Sequence, residues 1–432
     1  MKKRIFAGVM ASAAALTAVS LTGCDSAASP EETLTLMAWS GNSDMQALID
    51  YVCEETGTDP NLIKWAQIGT DGAGARDGYG TYLDGSQDGD ILFCDAEWAP
   101  NYINSNYTVE LSTIGISKSN YPDAYAYTLA LGTSDDGKFK GATWQATPGG
   151  FVYNVKTAEE KLGVKSAAEM QAMVSDWNKF EETAATLAAQ GVAICATEGG
   201  LWQVMQCQRD SQWVVDGKLV VDSFATDFIQ KAKDYVDKGY ITKEEQWSDA
   251  WYATVQNGQA LGDFAPTWGL TNVGGGSIAE NFAGGKDVEG TLGLCEGPAG
   301  WFWGGTYMCV TNKCNTPELA KKWIEFFTIN STSMEGYARK SGDFMNNTKV
   351  MDTLSKDTSL TNKLFQGGAH QFPILYAGAS KINLTATKYD SVIKNAFNQA
   401  VQGYAIKGET STVDAAGEAF KNEVGKTYAD IV

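Results

Sequence analysis

Asp95 and Glu97 stand two residues apart in Asp95-Ala96-Glu97-Trp98, directly after the apolar run Ile91-Leu92-Phe93-Cys94. On an extended segment that spacing sends both carboxylates to one side. Such a pair has two uses: acid and nucleophile on a glycosidic bond, or twin acceptors for sugar hydroxyls. Trp98 beside them favours the second use, because a flat apolar ring face suits the C–H face of a sugar. Tryptophan is in excess, with 13 in 432 residues. Trp39, Trp98, Trp144, Trp202, Trp268, Trp301 and Trp303 recur at strand ends or helix starts rather than on regular apolar stripes. Any one of them alone reads equally well as core packing. Together they point to an aromatic, acidic cleft with Trp39, Asp95, Glu97, Trp98, Trp144, Trp202, Trp268 and Trp303 facing a ligand. Trp301 and Trp303 alternate onto one side of an extended stretch, beside a Gly304-Gly305 pair that permits close approach. For these two, core and ligand-facing readings both stay open.

Other chemistries lack material. His370 is the single histidine, which leaves little for triads or metal–histidine clusters, and no catalytic residue is assigned. Gly72, Gly74 and Asp77 break the dinucleotide fingerprint, no phosphate-loop lysine follows a glycine run, and no cofactor is expected. Asp84, Ser86, Asp88, Gly89 and Asp90 imitate the start of a calcium loop, but Asp95 stands where its bidentate glutamate belongs. A plain turn before a buried strand is the expectation, with no metal. A net charge of -19 argues against nucleic acid and favours an uncharged or cationic ligand.

Met1-Lys2-Lys3-Arg4 and the apolar run 5–21 have the form of a secretory signal. The run ends in Leu21-Thr22-Gly23-Cys24, which resembles the bacterial lipoprotein box and marks Cys24 for lipidation. Residues 25–32 then read as a polar tether, and no later stretch is apolar enough to span a bilayer. Cys53, Cys94, Cys195, Cys207, Cys295, Cys309 and Cys314 follow, mostly in apolar runs where a thiol behaves as a small hydrophobe. Buried free thiols are expected, with Cys195/Cys207 and Cys309/Cys314 as possible local disulfides; no spacing fits zinc.

The elements that position these groups read as strand 34–39, helix 44–55, strand 62–68, a glycine-rich loop 71–90 and strand 91–94, the opening of a mostly parallel α/β sheet. Ligands collect beyond the carboxyl ends of strands in such sheets. The pattern restarts after Pro148-Gly149-Gly150, a natural crossing, and the length exceeds one compact core, so two lobes are expected. Thr306 to Val310 has strand chemistry, and Thr316 with Pro317 opens a helix carrying Leu319, Trp323, Ile324 and Phe327 on one face.

The chain resembles the family 1 extracellular solute-binding proteins of bacterial ABC importers. The resemblance rests on the lipoprotein box, 34–39 entering a helix, Gly89-Asp90-Ile91-Leu92-Phe93 with Trp98-Ala99-Pro100, and Tyr153-Asn154-Val155-Lys156. Asn257-Gly258-Gln259-Ala260 leading to Trp268, Gly304-Gly305 and residues 317–324 complete it. It implies an α/β, two-lobed periplasmic-binding-protein-like fold with a hinge and an interlobe ligand cleft. It also implies a receptor that delivers a solute to permease subunits, and the lipoprotein box places it as a lipid-anchored protein on the extracytoplasmic face of the cell membrane. Members of that family also take phosphate esters, polyamines and metals; here the scarcity of basic residues near the strand-end loops argues against anions, and the tryptophan set favours a saccharide. A monomer is expected, and the poor catalytic inventory predicts no enzymatic activity. The family pattern carries onto Trp39, Glu97, Trp98, Trp202 and Trp268, with Trp303 beside a crossing strand. The expected division is 1–23 signal peptide, 24–33 tether, 34–143 plus 304–330 first lobe, and 144–303 plus 331–432 second lobe. A surface lectin or sensor, or an exported glycosidase, are the competing readings.

Overall fold

The computed structural model describes residues 33–39, 42–70, 72–85, 89–271, 277–382 and 387–432. The signal segment, Cys24, most of the tether, Ser86 and Asp88 of the acidic turn, and Gly274 to Gly276 lie outside the described residues. In chain order the strands are β1 (Leu34–Ala38), β2 (Ile63–Gln67), β3 (Ile91–Asp95), β4 (Gly141–Thr143), β5 (Gly149–Asn154), β6 (Ala193–Cys195), β7 (Val214–Val215), β8 (Lys218–Leu219), β9 (Ala260–Pro266), β10 (Leu292–Cys295) and β11 (Thr306–Val310).

They build a two-lobed α/β fold. The first sheet has the order β2-β1-β3-β11-β4, with β1 parallel to β2 and β3, and β11 antiparallel to β3 and β4. Every residue from Ile91 to Cys94 is buried, and alternation divides them: Ile91 and Phe93 face one core, Leu92 and Cys94 another that holds Tyr79, Trp98 and Tyr102. The second sheet has the order β10-β5-β9-β6, and only β6 runs parallel to its neighbour β9. Phe151 and Tyr153 of β5 share a core with Phe180, Leu187 and Phe228, Phe151 meeting Phe180 edge to face at 5.9 Å; Val152 turns the other way, into the core that holds Trp251 and Phe282.

The glycine-rich stretch expected as a loop is the helix Gly72–Asp84. Ala75, Tyr79 and Leu83 recur at four-residue spacing and are at most 1% exposed, so burial of one face outweighs the poor helix propensity of the glycines. At Gly78 the helix packs close on the end of β2: a Cβ there would lie 2.8 Å from Ile68 Cγ2, so a side chain would have to displace Ile68.

Chain crossings lie side by side between the lobes. Ala146 N–H donates to Phe344 O (3.1 Å), Gly149 N–H to Trp301 O (3.1 Å) and Trp303 N–H to Thr147 O (3.2 Å). Gln145 clamps the bundle, donating to Asp343 Oδ2 at 2.8 Å and accepting from Thr306 N–H at 2.9 Å. The helix Ser331–Ser341, expected with the second lobe, packs on the first: the Tyr337 ring lies 5.5 Å from Tyr51. Helices Asp390–Gln402 and Val413–Thr427 belong to the second lobe's core.

The seven cysteines after Cys24 are free thiols. Neither local disulfide forms: Cys195 Sγ donates to Asp263 Oδ1 at 3.0 Å, and Cys207 Sγ reaches the carbonyl of Gln203 at 3.4 Å.

Candidate functional site

Beyond the end of β3 the chain turns instead of staying extended. Asp95 Oδ1 accepts from Glu97 N–H at 2.8 Å, and Trp98 N–H donates to Asp95 O at 3.0 Å. An aspartate at a strand end favours this side-chain-to-backbone turn, so Asp95 and Glu97 come together by a turn and not by alternation. Burial, then the neighbouring Glu97 charge, raises the Asp95 carboxyl to about 7.

Glu97 and Ala96 line a cavity between the lobes together with Gln203, Gln206, Cys207, Phe302, Trp303, Gly304 and Lys394. Its volume is about 10 Å³, room for about one water, so a larger guest enters only if the lobes part. Gln203 and Gln206 come from the helix Glu198–Gln206, one turn apart on its cavity side. Lys394 comes from Asp390–Gln402, whose Ile393 and Phe397 fill the core behind it. Burial alone would lower the Lys394 ammonium, but attraction to Glu97 and Asp390 outweighs this and holds it above the usual lysine range.

Beside the cavity three indoles form a platform. Trp268 Nε1 donates to Trp303 O at 2.9 Å, and the two rings meet edge to face at 5.2 Å. Trp247 stacks on Trp268 at 6.0 Å and 19°, lies 5.6 Å from Trp303, and is 47% exposed. Its φ of 74° is a strained conformation for a bulky residue. The Gly304-Gly305 pair joins platform to carboxylates, with φ of 74° and 108°; a Cβ on Gly304 would stand 3.1 Å from Trp268 Nε1 and 3.3 Å from Asp95 Oδ2.

Of the tryptophans read from the sequence, Trp268 and Trp303 are half-buried in this platform. Trp39 is half-buried and packs its edge on Trp98 at 5.5 Å. Trp98 itself is 4% exposed, enclosed by Tyr79 and Tyr102. Trp144, Trp202 and Trp301 sit within cores. Trp144 packs on Phe93 and Phe327 and donates to Asp343 Oδ2 at 3.2 Å. Trp202 lies among Phe228, Phe397 and Trp213. Trp301 faces Phe264 and fills the space a Gly149 side chain would need.

Sequence reasoning missed Lys394, Gln203, Gln206, Phe302 and Trp247. Lys394 looks like one more charge on an amphipathic helix, and no local pattern marks it. Trp247 carried a usable signal, an aromatic residue just before the capping residue Ser248 of the helix Asp249–Gln256.

The chain is similar to known proteins in the same sense as its fold. The family model for bacterial extracellular solute-binding proteins matches residues 83–366. The crystal structure of an extracellular solute-binding protein of family 1 superposes with a TM-score of 0.74 at 18% identity, covering 91% of this chain and 99% of that one. The GacH receptor of Streptomyces glaucescens GLA.O, solved unliganded and with acarbose and an acarbose homolog, gives 0.67 at 15% identity over 93% and 99%. No curated protein sequence matches. With the matched stretch spanning most of both lobes, the chain belongs to the bacterial extracellular solute-binding protein family.

Proposed function

We propose that this protein captures a saccharide, an oligosaccharide in the first instance, between its lobes and delivers it to the permease subunits of an ABC importer. The observation that carries this reading is the platform of Trp247, Trp268 and Trp303 beside the Asp95–Glu97 turn at the junction of the lobes. Aromatic faces take the apolar side of a sugar while carboxylates and amides take its hydroxyls. The GacH receptor, a neighbour in fold, was solved in complex with acarbose and compared with acarbose-loaded maltose binding protein. In this reading Trp268, Trp303, Asp95 and Glu97 contact ligand, Trp39 and Trp98 support the first lobe's face, and Trp144 and Trp202 hold the scaffold. The lobes comprise 34–143 with 304–341, and 144–303 with the remainder. Cys24 carries a lipid anchor that keeps a monomer at the outer face of the cell membrane, and bound sugar is released without hydrolysis.

A thermal-shift screen of the soluble part against mono- and oligosaccharides tests the ligand class. A ligand at about 100 times its dissociation constant adds about 2.7 kcal/mol, which a melting curve resolves. A panel that shifts nothing sinks the saccharide reading. Detergent-phase partitioning of wild type and Cys24→Ser tests the anchor: both in the aqueous phase would reject it.

A further inference from the structure

Lys394 and Gln206 are shared by two cavities. One is the interlobe cavity; the other, also about 10 Å³, has Arg209, Trp213 and Asp390 in its wall. Arg209 is already committed, bound to Asp222 Oδ2 at 3.0 Å and lying 3.7 Å over the Trp213 ring. Lys394 therefore supplies the available positive charge at the junction, facing Glu97 of the first lobe.

Gln206 is 3% exposed; its amide nitrogen donates to Gln203 Oε1 at 2.5 Å, while its own Oε1 has no partner among the described residues. A buried acceptor without a donor costs about 1–3 kcal/mol and calls for an explanation. The cavity thus offers a three-donor ammonium, a carboxylate and an orphan amide oxygen. A hydroxyl is the common group that both donates and accepts, so two adjacent hydroxyls satisfy all three: one accepts from Lys394 and donates to Glu97, its neighbour donates to Gln206. A sugar carboxylate can only accept. It stands in place of the primary hydroxyl, leaves the ring hydroxyls where they are, and puts a negative charge among Asp95, Glu97 and Asp390, with Lys394 as the facing cation.

We infer that Lys394, Glu97 and Gln206 read a pair of neighbouring hydroxyls and make the cleft selective for a neutral sugar ring over the same ring bearing a carboxylate. This rests on the saccharide reading above.

The test is titration calorimetry of the mature chain with neutral gluco-, galacto-, manno- and xylo-oligosaccharides, beside oligogalacturonates and glucuronate-bearing oligosaccharides. The best neutral sugar should bind at least about 30-fold more tightly than any uronate. Lys394→Met should weaken that sugar by about 10- to 100-fold, the scale of a hydrogen bond to a charged group. Gln206→Leu should weaken it about tenfold with little change in melting temperature, because it removes one unsatisfied buried oxygen while taking the donor from Gln203 Oε1. A purely structural Gln206 would instead show lower stability with affinity intact. Glu97→Gln should narrow the neutral-to-uronate ratio about tenfold. A uronate as the best ligand, or neutral-sugar affinity untouched by both Lys394→Met and Gln206→Leu, overturns this inference alone. Binding of no panel member overturns it together with the saccharide reading.

Discussion

Trp202 and Trp268 hold similar places in the chain, each in a helix that follows a strand of the second sheet, yet one is core and the other half-buried against the crossing segment. Trp202 is 1% exposed and meets helices Ser223–Asp237 and Asp390–Gln402 through Phe228 and Phe397, with ring centroids at 4.6 and 4.5 Å. Trp268 stands in the short helix Thr267–Leu270 and meets the crossing segment through Trp303. Each residue turns a helix by about 100°, so Gln203, the next residue after Trp202, faces the cavity instead. A strand end brings a residue near the junction of the lobes; its angle on the following helix decides whether it faces core, as Trp202 does, or cavity, as Gln203 does.

The sharpest way to break this comparison is to truncate both rings. Trp202→Ala should cost about 3–5 kcal/mol of stability, as for other large aromatic truncations in a packed core. Chemical denaturation measures it, and a loss below about 1 kcal/mol would remove Trp202 from the core. Trp268→Ala should weaken saccharide binding by about ten- to a hundredfold while stability changes much less, because a ring that covers one sugar face removes apolar area worth on the order of 1–2 kcal/mol.

The indoles also differ in what anchors them. Core Trp144 and Trp251 donate to buried carboxylates, Asp343 Oδ2 at 3.2 Å and Asp263 Oδ2 at 2.8 Å, whereas Trp268 donates to a carbonyl that does not titrate. Burial raises Asp343 to about 6 and Asp263 to about 7, above the ordinary carboxylate value of 3.8. The folded state then holds more protons than the unfolded state between about pH 4 and pH 7, so stability falls as pH rises through that window. The melting temperature should be higher at pH 5 than at pH 8, by on the order of 5 °C. Asp263→Asn should flatten that difference, and an equal slope in the variant would contradict the assignment.

Trp247 carries the smallest expected effect. It is exposed and adopts a positive φ, so Trp247→Ala should lower affinity by less than about tenfold and leave the melting temperature nearly unchanged. A loss larger than that of Trp268→Ala would make Trp247 the primary contact and reverse the order within the platform.

Much of the fold was legible from periodicity. The buried run Ile91 to Cys94, the strand Thr306–Val310 and the helix Pro317–Thr328 form where the spacing places them. Pro148-Gly149 marks a crossing because β4 and β5 belong to different sheets. The helix Gly72–Asp84 was hidden because local propensity spoke against it, and only Tyr79 and Leu83 reaching a core reveals it. Residue type alone did not give the direction of each side chain. Trp144 is drawn inward by Asp343, 199 positions away, a contact no local pattern announces. Lys394 acquires meaning only when Glu97, far away in sequence, closes the other side of the cavity.

The most direct test of the central claim is titration calorimetry of neutral oligosaccharides against wild type and Trp268→Ala, with denaturation of the same preparations. Saccharide capture at the junction of the lobes predicts one-to-one binding by wild type, weakened about ten- to a hundredfold in the variant while the unfolding curves nearly coincide. Heat from no neutral sugar at millimolar concentration, or equal affinity in the two proteins, would contradict it.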